Sequence, residues 1–382
     1  MDNKPAPRIL DAVRGSLIGG AAGDALGYAV EFVREDYIFT KYGKKGITEY
    51  ELDPRTGKAI ISDDTQMTLF TAVGLLHGQT RAMLRGIAGS PASYVAMAYN
   101  DWLTTQTSSF EEVHEARENG SFGYVVSWLL DEPGLFERRA PGNTCLSALM
   151  AARQAGSINE ADYIALKRNN SKGCGGVMRT APCALFAPHL GWDIDLVDMQ
   201  SAQMATVTHG HPLGYMPSAV LSHIIFRLIS PETDGMKLKD AVLDSIDALK
   251  RLFGGDENTP VLAKLIELAV SLSENGESDL DNIHALGEGW VGDEALAIAI
   301  YCALKYENDF SAGIIAAAIC GNILGAKLGY SAIEEKWKRK LEMHELILEI
   351  ADDLAQGCLM SEYDPYHDEG WVRKYVKAHA CR

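Results

Sequence analysis

Two adjacent carboxylates lie between two hydroxyl side chains in the stretch Ser62-Asp63-Asp64-Thr65. An apolar run at residues 69–76 follows, and its large side chains recur at helical spacing. Ser62 or Asp63 is therefore predicted to cap a helix, where backbone N–H groups and the helix dipole stabilise negative charge. Carboxylate and hydroxyl oxygens are also the ligands that Mg²⁺, Mn²⁺ and Ca²⁺ prefer. The stretch indicates either a simple helix start or a site for a divalent cation.

A glycine-rich stretch at residues 169–179 reads Asn-Asn-Ser-Lys-Gly-Cys-Gly-Gly-Val-Met-Arg. Backbone N–H groups in such a loop can cradle a phosphate, and a following helix adds a favourable field. The stretch lacks the Gly-Lys-Ser/Thr ending of a nucleotide-binding P-loop. It indicates either a phosphate-binding loop or a plain turn.

Two further stretches carry side chains that could contact a ligand. His209 and His211 flank a glycine ahead of a predicted helix at residues 219–228, and either structural or ligand-binding roles fit them. No third ligand for a zinc ion lies near them in the sequence. Trp290 lies in a glycine-rich turn at residues 287–293, where it is either a stacking platform for a base or a packed aromatic.

Residues 8–31 show a helical pattern that contains five glycines, at positions 15, 19, 20, 23 and 27. Each glycine costs a helix about 1 kcal/mol relative to alanine, so the pattern indicates close approach of a ligand or of another backbone, and for most of these glycines it favours close packing against another helix. No strand precedes these glycines, which argues against a dinucleotide-binding fold. Asp24 and Glu31 are seven residues apart and share one helical face if the helix continues that far.

Helical patterns dominate the rest of the chain, and few stretches alternate as strands do. They cover residues 94–103, 144–154, 219–228, 238–253, 261–273, 294–306 and 333–356, while 33–60 is predicted as loop with at most one short strand and 78–91 as a break. Residues 310–330 are almost wholly apolar and contain no helix breaker near their centre, which predicts one continuous helix. The predicted fold class is all-α, with a single domain over residues 1–382.

The overall composition excludes several classes of protein. The net charge of −17 argues against a nucleic-acid partner, since such proteins present a basic face. The seven cysteines are scattered and form no CxxC pair, so reduced thiols and a cytoplasmic location are expected. No apolar run reaches the roughly 18 residues of a membrane helix, and the first residues lack the apolar core of a signal peptide.

Taken together, these stretches resemble the ADP-ribosylglycohydrolase family. The matching segments are residues 14–31, 62–66, 171–179, 208–212 and 289–292. The resemblance implies an all-α fold of the ADP-ribosylglycohydrolase type, a helical orthogonal bundle. It also implies a binuclear Mg²⁺ or Mn²⁺ site in a cleft that binds ADP-ribose. The implied reaction is hydrolysis of the bond between ribose C1″ and a protein side chain, typically arginine, so that the partner is an ADP-ribosylated protein or ADP-ribose itself.

The resemblance also implies roles for individual residues. Ser62, Asp63 and Asp64 match the first group of metal ligands, and Glu31 matches an acid near the scissile ribose, so that Glu31, Asp63 and Asp64 are the expected catalytic residues. Asn170, Ser171, Gly173 and Cys174 match the loop that contacts the diphosphate and ribose, and His209 matches a ribose contact. Glu31 is therefore predicted to share a cleft with residues 62–64. Repulsion among these acids is predicted to raise the pKa of at least one.

One expected segment is missing. The family carries a second ligand set in a Gly-Asp-X-Asp-Ser/Thr loop between two helices near the C-terminus, but no Asp or Glu lies between Asp309 and Glu334 here. A dication held by Ser62, Asp63 and Asp64 alone should bind weakly. Three functions stay open: a hydrolase of ADP-ribosylated side chains, an impaired relative that binds ADP-ribose or an ADP-ribosyltransferase without turnover, and a one-metal phosphate-ester hydrolase.

Overall fold

The computed structural model describes residues 5–316, 319–363 and 365–377, and throughout these residues the fold is all-α, as predicted. The α-helices are α1 (Pro7–Tyr28), α2 (Glu35–Tyr42), α3 (Asp63–Arg85), α4 (Pro91–Thr107), α5 (Phe110–Glu118), α6 (Asn143–Ala155), α7 (Tyr163–Leu166), α8 (Ala181–Leu190), α9 (Ile194–Thr206), α10 (Pro212–Ile229), α11 (Leu238–Phe253), α12 (Thr259–Ser273), α13 (Asp279–Leu286), α14 (Gly292–Lys305), α15 (Phe310–Ala316), α16 (Cys320–Leu328), α17 (Glu335–Lys338), α18 (His344–Gln356) and α19 (Glu369–Tyr375). Short 3-10 helices lie at Trp128–Asp131, Pro133–Phe136, Cys174–Gly176, Pro231–Thr233 and Tyr330–Ala332. The described residues contain no strand, only two isolated bridges, Ala59–Leu341 and Gly173–Val291.

The glycines of α1 lie against α16, and there the two backbones touch. A methyl group on Gly325 would lie 1.9 Å from the carbonyl oxygen of Gly15, and one on Gly321 would lie 2.0 Å from that of Gly19. The Ser16 hydroxyl donates to the Asn322 carbonyl at 3.0 Å, and the Asn322 amide donates to the Ser16 carbonyl at 2.9 Å. The predicted close packing is confirmed, and it fixes the position of α1 relative to α16.

Replacing Gly325 with alanine is expected to lower the free energy of unfolding by about 2–3 kcal/mol, because the added methyl group must push two helices apart. Urea denaturation measures the change. Gly255→Ala is the matched control, since nothing lies within 4 Å of a methyl group at that position. Its effect should stay within about 0.5 kcal/mol. Equal losses in the two variants would contradict the close-packing explanation.

The predicted break at 78–91 is wrong over its first half, because helix α3 continues to Arg85. Gly78 is buried inside the helix, where a methyl group would lie 2.5 Å from the Tyr94 ring. The glycine thus makes room for an aromatic side chain of α4 rather than ending α3. The helix ends about two turns later, where Gly86 adopts the left-handed conformation with φ of 63°.

Three other local predictions differ from the structure. Residues 33–60 contain helix α2 and no strand. The predicted helix at 333–356 is divided into α17 and α18, and Met343 has a φ of 55° just before α18 begins. Helix α5 was not predicted, although Ser109 and Glu112 form a capping box at its start, with the Ser109 hydroxyl accepting from the Glu112 amide at 3.2 Å.

The predicted continuous helix at 310–330 is also wrong, since α15 and α16 are two helices that pack on each other. A methyl group on Gly313 would lie 2.2 Å from Leu324 Cδ1, although eleven residues of straight helix would separate the two positions by roughly 16 Å. The junction at 317–318 itself lies outside the described residues. Ile319, just after it, lines the cleft described next.

Within the described parts of the chain, we find no helix long and apolar enough to cross a membrane.

Candidate functional site

The start of α3 is fastened to α1 by Asp24, a buried carboxylate. One oxygen of Asp24 accepts hydrogen bonds from the backbone N–H of Ser62 at 2.9 Å, the backbone N–H of Thr65 at 3.3 Å and the Thr65 hydroxyl at 2.5 Å. These donors offset the cost of burying the charge. Asp24 therefore sets the position of the Ser-Asp-Asp stretch relative to α1.

Ser62 is the N-cap of α3, since its hydroxyl oxygen accepts from the Asp64 backbone N–H at 3.1 Å. Asp63 and Asp64 accordingly occupy the first turn, where the helix dipole favours negative charge. The Asp63 carboxylate turns away from the solvent and accepts from the Gly142 N–H at 3.1 Å. The helix-start interpretation is thus confirmed, and it leaves Asp64 half-buried at the edge of a cleft.

This cleft has a volume of about 330 Å³, within the range of small-molecule sites. Three of its acids come from separate segments: Asp24 from α1, Glu31 from the turn after α1, and Asp64 from α3. Ser62, Cys174, Glu288, Trp290 and Ile319 also line it, together with Gly27, Tyr28, Ile283, Gly289, Ala295 and Ile298. The prediction that Glu31 shares a cleft with residues 62–64 is confirmed for Ser62 and Asp64, whereas Asp63 does not line the cleft.

The pKa values of all four acids in this region are raised. Burial is the largest cause for the carboxyl groups of Asp24, Glu31, Asp63 and Asp64. The negative charge of neighbouring acids raises the pKa further, with Asp24 acting on Glu31, and Asp63, Asp24 and Glu31 acting on Asp64. The predicted rise occurs, although desolvation contributes more to it than the predicted mutual repulsion.

The glycine-rich loop borders the cleft at one residue, Cys174. The Cys174 N–H donates to the Trp290 carbonyl at 3.1 Å, and the Gly292 N–H donates to the Lys172 carbonyl at 2.8 Å. The loop is therefore held against the start of α14. Burial, together with the nearby Asp64 carboxyl group, raises the pKa of the Cys174 thiol to about 12, so it is neutral at physiological pH.

The other predicted substrate contacts lie in or behind this loop rather than on the cleft wall. Asn170 is exposed, and Gly173 is half-buried. The Ser171 hydroxyl lies 3.2 Å from that of Thr144. His209 is buried beneath the loop, where a methyl group on Gly173 would lie 3.3 Å from its Nε2. Contact of these four residues with a ligand stays a prediction.

The two histidines near the loop have different environments. His211 is the N-cap of α10, since its Nδ1 accepts from the Leu213 N–H at 3.0 Å, and its role is structural. His209 Nδ1 lies 2.8 Å from the Thr208 hydroxyl. Burial and the nearby Arg179 guanidinium lower the pKa of His209 to about 3, so its ring is neutral.

Arg179 is fully buried and connects the loop to these residues. Its guanidinium donates to the Gly175 carbonyl, the Thr208 hydroxyl and, at 2.9 Å, the Tyr99 hydroxyl. It also lies 4.6 Å from the centroid of the Tyr99 ring, in a cation–π arrangement. Arg179 therefore fixes both the turn of the glycine-rich loop and the residue that precedes His209.

Replacing Arg179 with methionine is expected to lower the free energy of unfolding by about 3 kcal/mol, because it removes the charged donor to the Gly175 carbonyl and to the buried hydroxyls of Tyr99 and Thr208. Urea denaturation followed by circular dichroism measures this change. Arg55→Met is the control, since Arg55 pairs with Asp53 on the surface and its side chain is 73% exposed. A loss below about 1 kcal/mol for Arg179→Met would contradict the role of these bonds.

Sequence reasoning did not assign Asp24, Tyr28 or Glu288 to the site and left the role of Trp290 open, although all four line the cleft. The seven-residue spacing of Asp24 and Glu31 was the available signal for Asp24. Trp290 is 49% exposed, so it is not the packed aromatic of the two alternatives. No local pattern distinguishes Arg179, since Tyr99 and Thr208, two of its partners, come from distant segments.

Comparison with known proteins assigns the chain to a family. A family model described as ADP-ribosylglycohydrolase matches residues 5–363. The chain belongs to the ADP-ribosylglycohydrolase family. ADP-ribosyl-(dinitrogen reductase) glycohydrolase of Rhodospirillum rubrum is 28% identical over 233 residues, which cover 60% of this chain and 62% of that relative. The match thus spans less than two thirds of the curated relative's length.

A solved structure titled "ADP-ribosylglycohydrolase-related protein complex" has a similar fold. It aligns with a TM-score of 0.59 and 19% identity over 92% of this chain and 99% of its own. At that identity the likeness shows the fold alone. It agrees with the all-α architecture of this ADP-ribosylglycohydrolase family member.

The metal ligands that the family resemblance implies are only partly present. Among residues 5–316, 319–363 and 365–377, no group of three or more His, Cys, Asp and Glu side chains is arranged to hold a metal ion. The Asp63 carboxylate and the Ser62 hydroxyl each already accept a backbone hydrogen bond. Ser62, Asp63 and Asp64 therefore form at most an incomplete ligand set, and the described residues supply no second set.

Proposed function

We propose that this protein hydrolyses the N-glycosidic bond between ADP-ribose and a protein side chain, most readily arginine, and releases ADP-ribose. The observation that carries the proposal is the convergence of Asp24, Glu31, Ser62 and Asp64 on one cleft beside Cys174 of the glycine-rich loop. Membership of the ADP-ribosylglycohydrolase family supports hydrolysis of ADP-ribose linkages in general. The substrate is accordingly an ADP-ribosylated protein.

The acids suit the charge that develops in this reaction. As the C1″–N bond breaks, the ribose carbon acquires positive charge, as in other glycoside hydrolyses. Carboxylates fixed around that carbon stabilise the charge without having to reorganise. We assign this role to Asp64, with Asp63 behind it, because α3 holds both in its first turn.

Glu31 is suited to move the proton. It lies at the exposed mouth of the cleft, after α1 has ended, and so it can reach water. A water molecule attacks C1″ and passes one proton to the Glu31 carboxylate, and Glu31 gives that proton to the guanidine nitrogen as the C1″–N bond breaks. Asn170, Ser171, Gly173 and His209 are proposed to contact the diphosphate and ribose.

A Mg²⁺ or Mn²⁺ ion is proposed to bind through Ser62, Asp63 and Asp64. When bound, it supplies a positive charge that orients ribose hydroxyls and polarises water. The acidic surroundings favour a cation, since the charges of Asp24 and Glu31 add to the effect of burial in raising the pKa values of Asp63 and Asp64.

Adding 10 mM MgCl₂ to metal-free protein is expected to raise the melting temperature by about 1–2 °C, because a ligand with a millimolar Kd stabilises the folded state by about 1.4 kcal/mol. Differential scanning fluorimetry measures the shift. The Asp63→Asn/Asp64→Asn double variant is the control for binding at this site and should show no shift. An identical shift in that variant, or none in the wild type, would argue against the site.

A second candidate function is binding of ADP-ribose, or of an ADP-ribosyltransferase, without turnover. The observation that favours it is Ile319, an apolar side chain that lines the cleft just after the point where the family's acidic loop is missing. Without that loop, the cleft has fewer carboxylates to stabilise the transition state.

The deciding experiment combines binding and turnover. Calorimetry measures the affinity for ADP-ribose, and chromatography measures ADP-ribose released from a peptide with one ADP-ribosylated arginine. Release above the uncatalysed rate supports hydrolysis, whereas binding without release supports the second candidate. Neither binding nor release would overturn both.

The cysteines support the proposed cytoplasmic setting. The six cysteines among the described residues, which exclude Cys381, are all free thiols, and free thiols are typical of reducing compartments.

A further inference from the structure

A second concavity, the outer groove, adjoins the cleft between residues 31–36 and residues 280–290. Its volume is about 890 Å³, more than twice that of the cleft. The two spaces share Glu31, Ile283, Glu288 and Trp290 as common walls. A molecule whose reactive end occupies the cleft would therefore extend directly into the outer groove.

Two aromatic side chains are exposed along this groove. Phe32 is 69% exposed and Trp290 is 49% exposed, and their ring centroids lie 6.3 Å apart with the planes tilted by 31°. Exposed aromatic pairs beside a cleft are typical of interaction surfaces, since they lose much apolar exposure when a partner covers them. Their faces also attract cationic side chains.

The charge of the outer groove determines whether it attracts a positively or a negatively charged partner. Four carboxylates line it, from Glu31, Glu35, Asp36 and Glu288, against the single guanidinium of Arg34. Arg34 pairs with Asp36 at 3.2 Å, and Glu35 pairs with His284 Nε2 at 2.7 Å. The surplus of negative charge, on a chain of net charge −17, attracts cations and repels acidic segments.

We propose that the outer groove binds the segment of the ADP-ribosylated protein that flanks the modified side chain, and that it prefers segments rich in lysine and arginine. This inference rests on the proposed function for the orientation of the substrate. The ADP-ribose lies in the cleft, and the flanking cationic side chains lie on Phe32 and Trp290 beside the carboxylates. The protein thereby selects among modified proteins by the charge around the modified residue.

The test uses two labelled peptides of equal length that carry ADP-ribose through a non-hydrolysable linkage, one flanked by lysines and one by serines. Fluorescence anisotropy gives the Kd of each peptide. The wild type should bind the lysine-flanked peptide about tenfold more tightly, and this preference should weaken as salt is raised. The variant Phe32→Ala/Glu35→Gln should lose most of the preference, while its affinity for the serine-flanked peptide changes less than about twofold.

The control variant is Tyr363→Ala/Glu111→Gln, which removes an exposed aromatic and an exposed acid that do not line the groove. It should keep the wild-type preference. Equal affinity of the wild type for both peptides, or an undiminished preference in Phe32→Ala/Glu35→Gln, would overturn the proposal. Hydrolysis of the matching natural linkage is measured separately, so a groove-dependent preference without any release of ADP-ribose would overturn the proposed catalysis and support the docking surface.

Discussion

The Asp64→Asn variant is expected to release ADP-ribose from a modified arginine peptide at least about 100-fold more slowly than the wild type. The substitution keeps the size of the side chain and removes one of the negative charges that face the cleft. That charge is worth most in the transition state, when the ribose carbon is positive. The rate is measured as single-turnover release, so that slow product dissociation does not conceal the chemical step.

The same variant should be no less stable than the wild type. Asp64 is crowded by the charges of Asp63, Asp24 and Glu31, which raise its pKa beyond the effect of burial, and a neutral amide relieves that repulsion. Asp247→Asn, on the exposed side of α11, is the matched control and should change neither the rate nor the melting temperature. A wild-type rate in Asp64→Asn would remove Asp64 from the proposed mechanism. A slow rate together with a lower melting temperature would indicate damage to the fold instead.

Much of this fold follows from local patterns in the sequence. Ser62 caps α3 where the hydroxyl and acidic residues predicted a helix start, and the glycines of α1 contact another backbone as their number suggested. Such features depend on neighbours in the chain or on a single missing side chain. Such features can therefore be predicted from the residues at the position where they occur.

Apart from α5, whose capping box is a local signal that was missed, the clearest wrong and missing predictions involve distant partners. Gly78 reads as a helix breaker in isolation, yet its lack of a side chain accommodates the Tyr94 ring of the next helix. Arg179 reads as the end of a glycine-rich loop, yet its guanidinium also donates to Tyr99 and Thr208, which come from two other segments. No periodicity encodes those contacts, because each depends on how the helices pack.

The candidate functional site likewise contains parts that the sequence predicted and parts that it did not. The family resemblance predicted that Glu31 and residues 62–64 share a cleft, and the structure places Glu31, Ser62 and Asp64 in its lining but not Asp63. It did not predict the outer groove, because Phe32 and Trp290 are far apart in the sequence and meet only when the turn after α1 approaches the turn before α14. The acidic character of one side of the outer groove is visible in the sequence, since the adjacent acids Glu35 and Asp36 begin α2.

Inserting Gly-Asp-Ala-Asp-Ser after Ala317 is expected to raise the Mg²⁺-dependent rate of ADP-ribose release by about 100-fold or more. The family resemblance places an acidic loop of this kind between the helices that correspond to α15 and α16. Ile319 lines the cleft with Asp24 and Asp64, so an insertion just before it is near enough to supply carboxylates there. Two added carboxylates would complete a ligand set that the described residues only begin.

The control for this insertion is Gly-Asn-Ala-Asn-Ser at the same position, which has the same length and shape but no carboxylates. Lengthening the connection between α15 and α16 costs little, because loop entropy grows slowly with length, so both variants should fold. If the rise in rate comes from new metal–oxygen bonds, only the aspartate version will show it, and only with Mg²⁺ or Mn²⁺ present. Equal rates in the two versions would mean that the chemistry of this protein depends on Glu31 and Asp64 without a second metal, and that the missing loop is not what limits it.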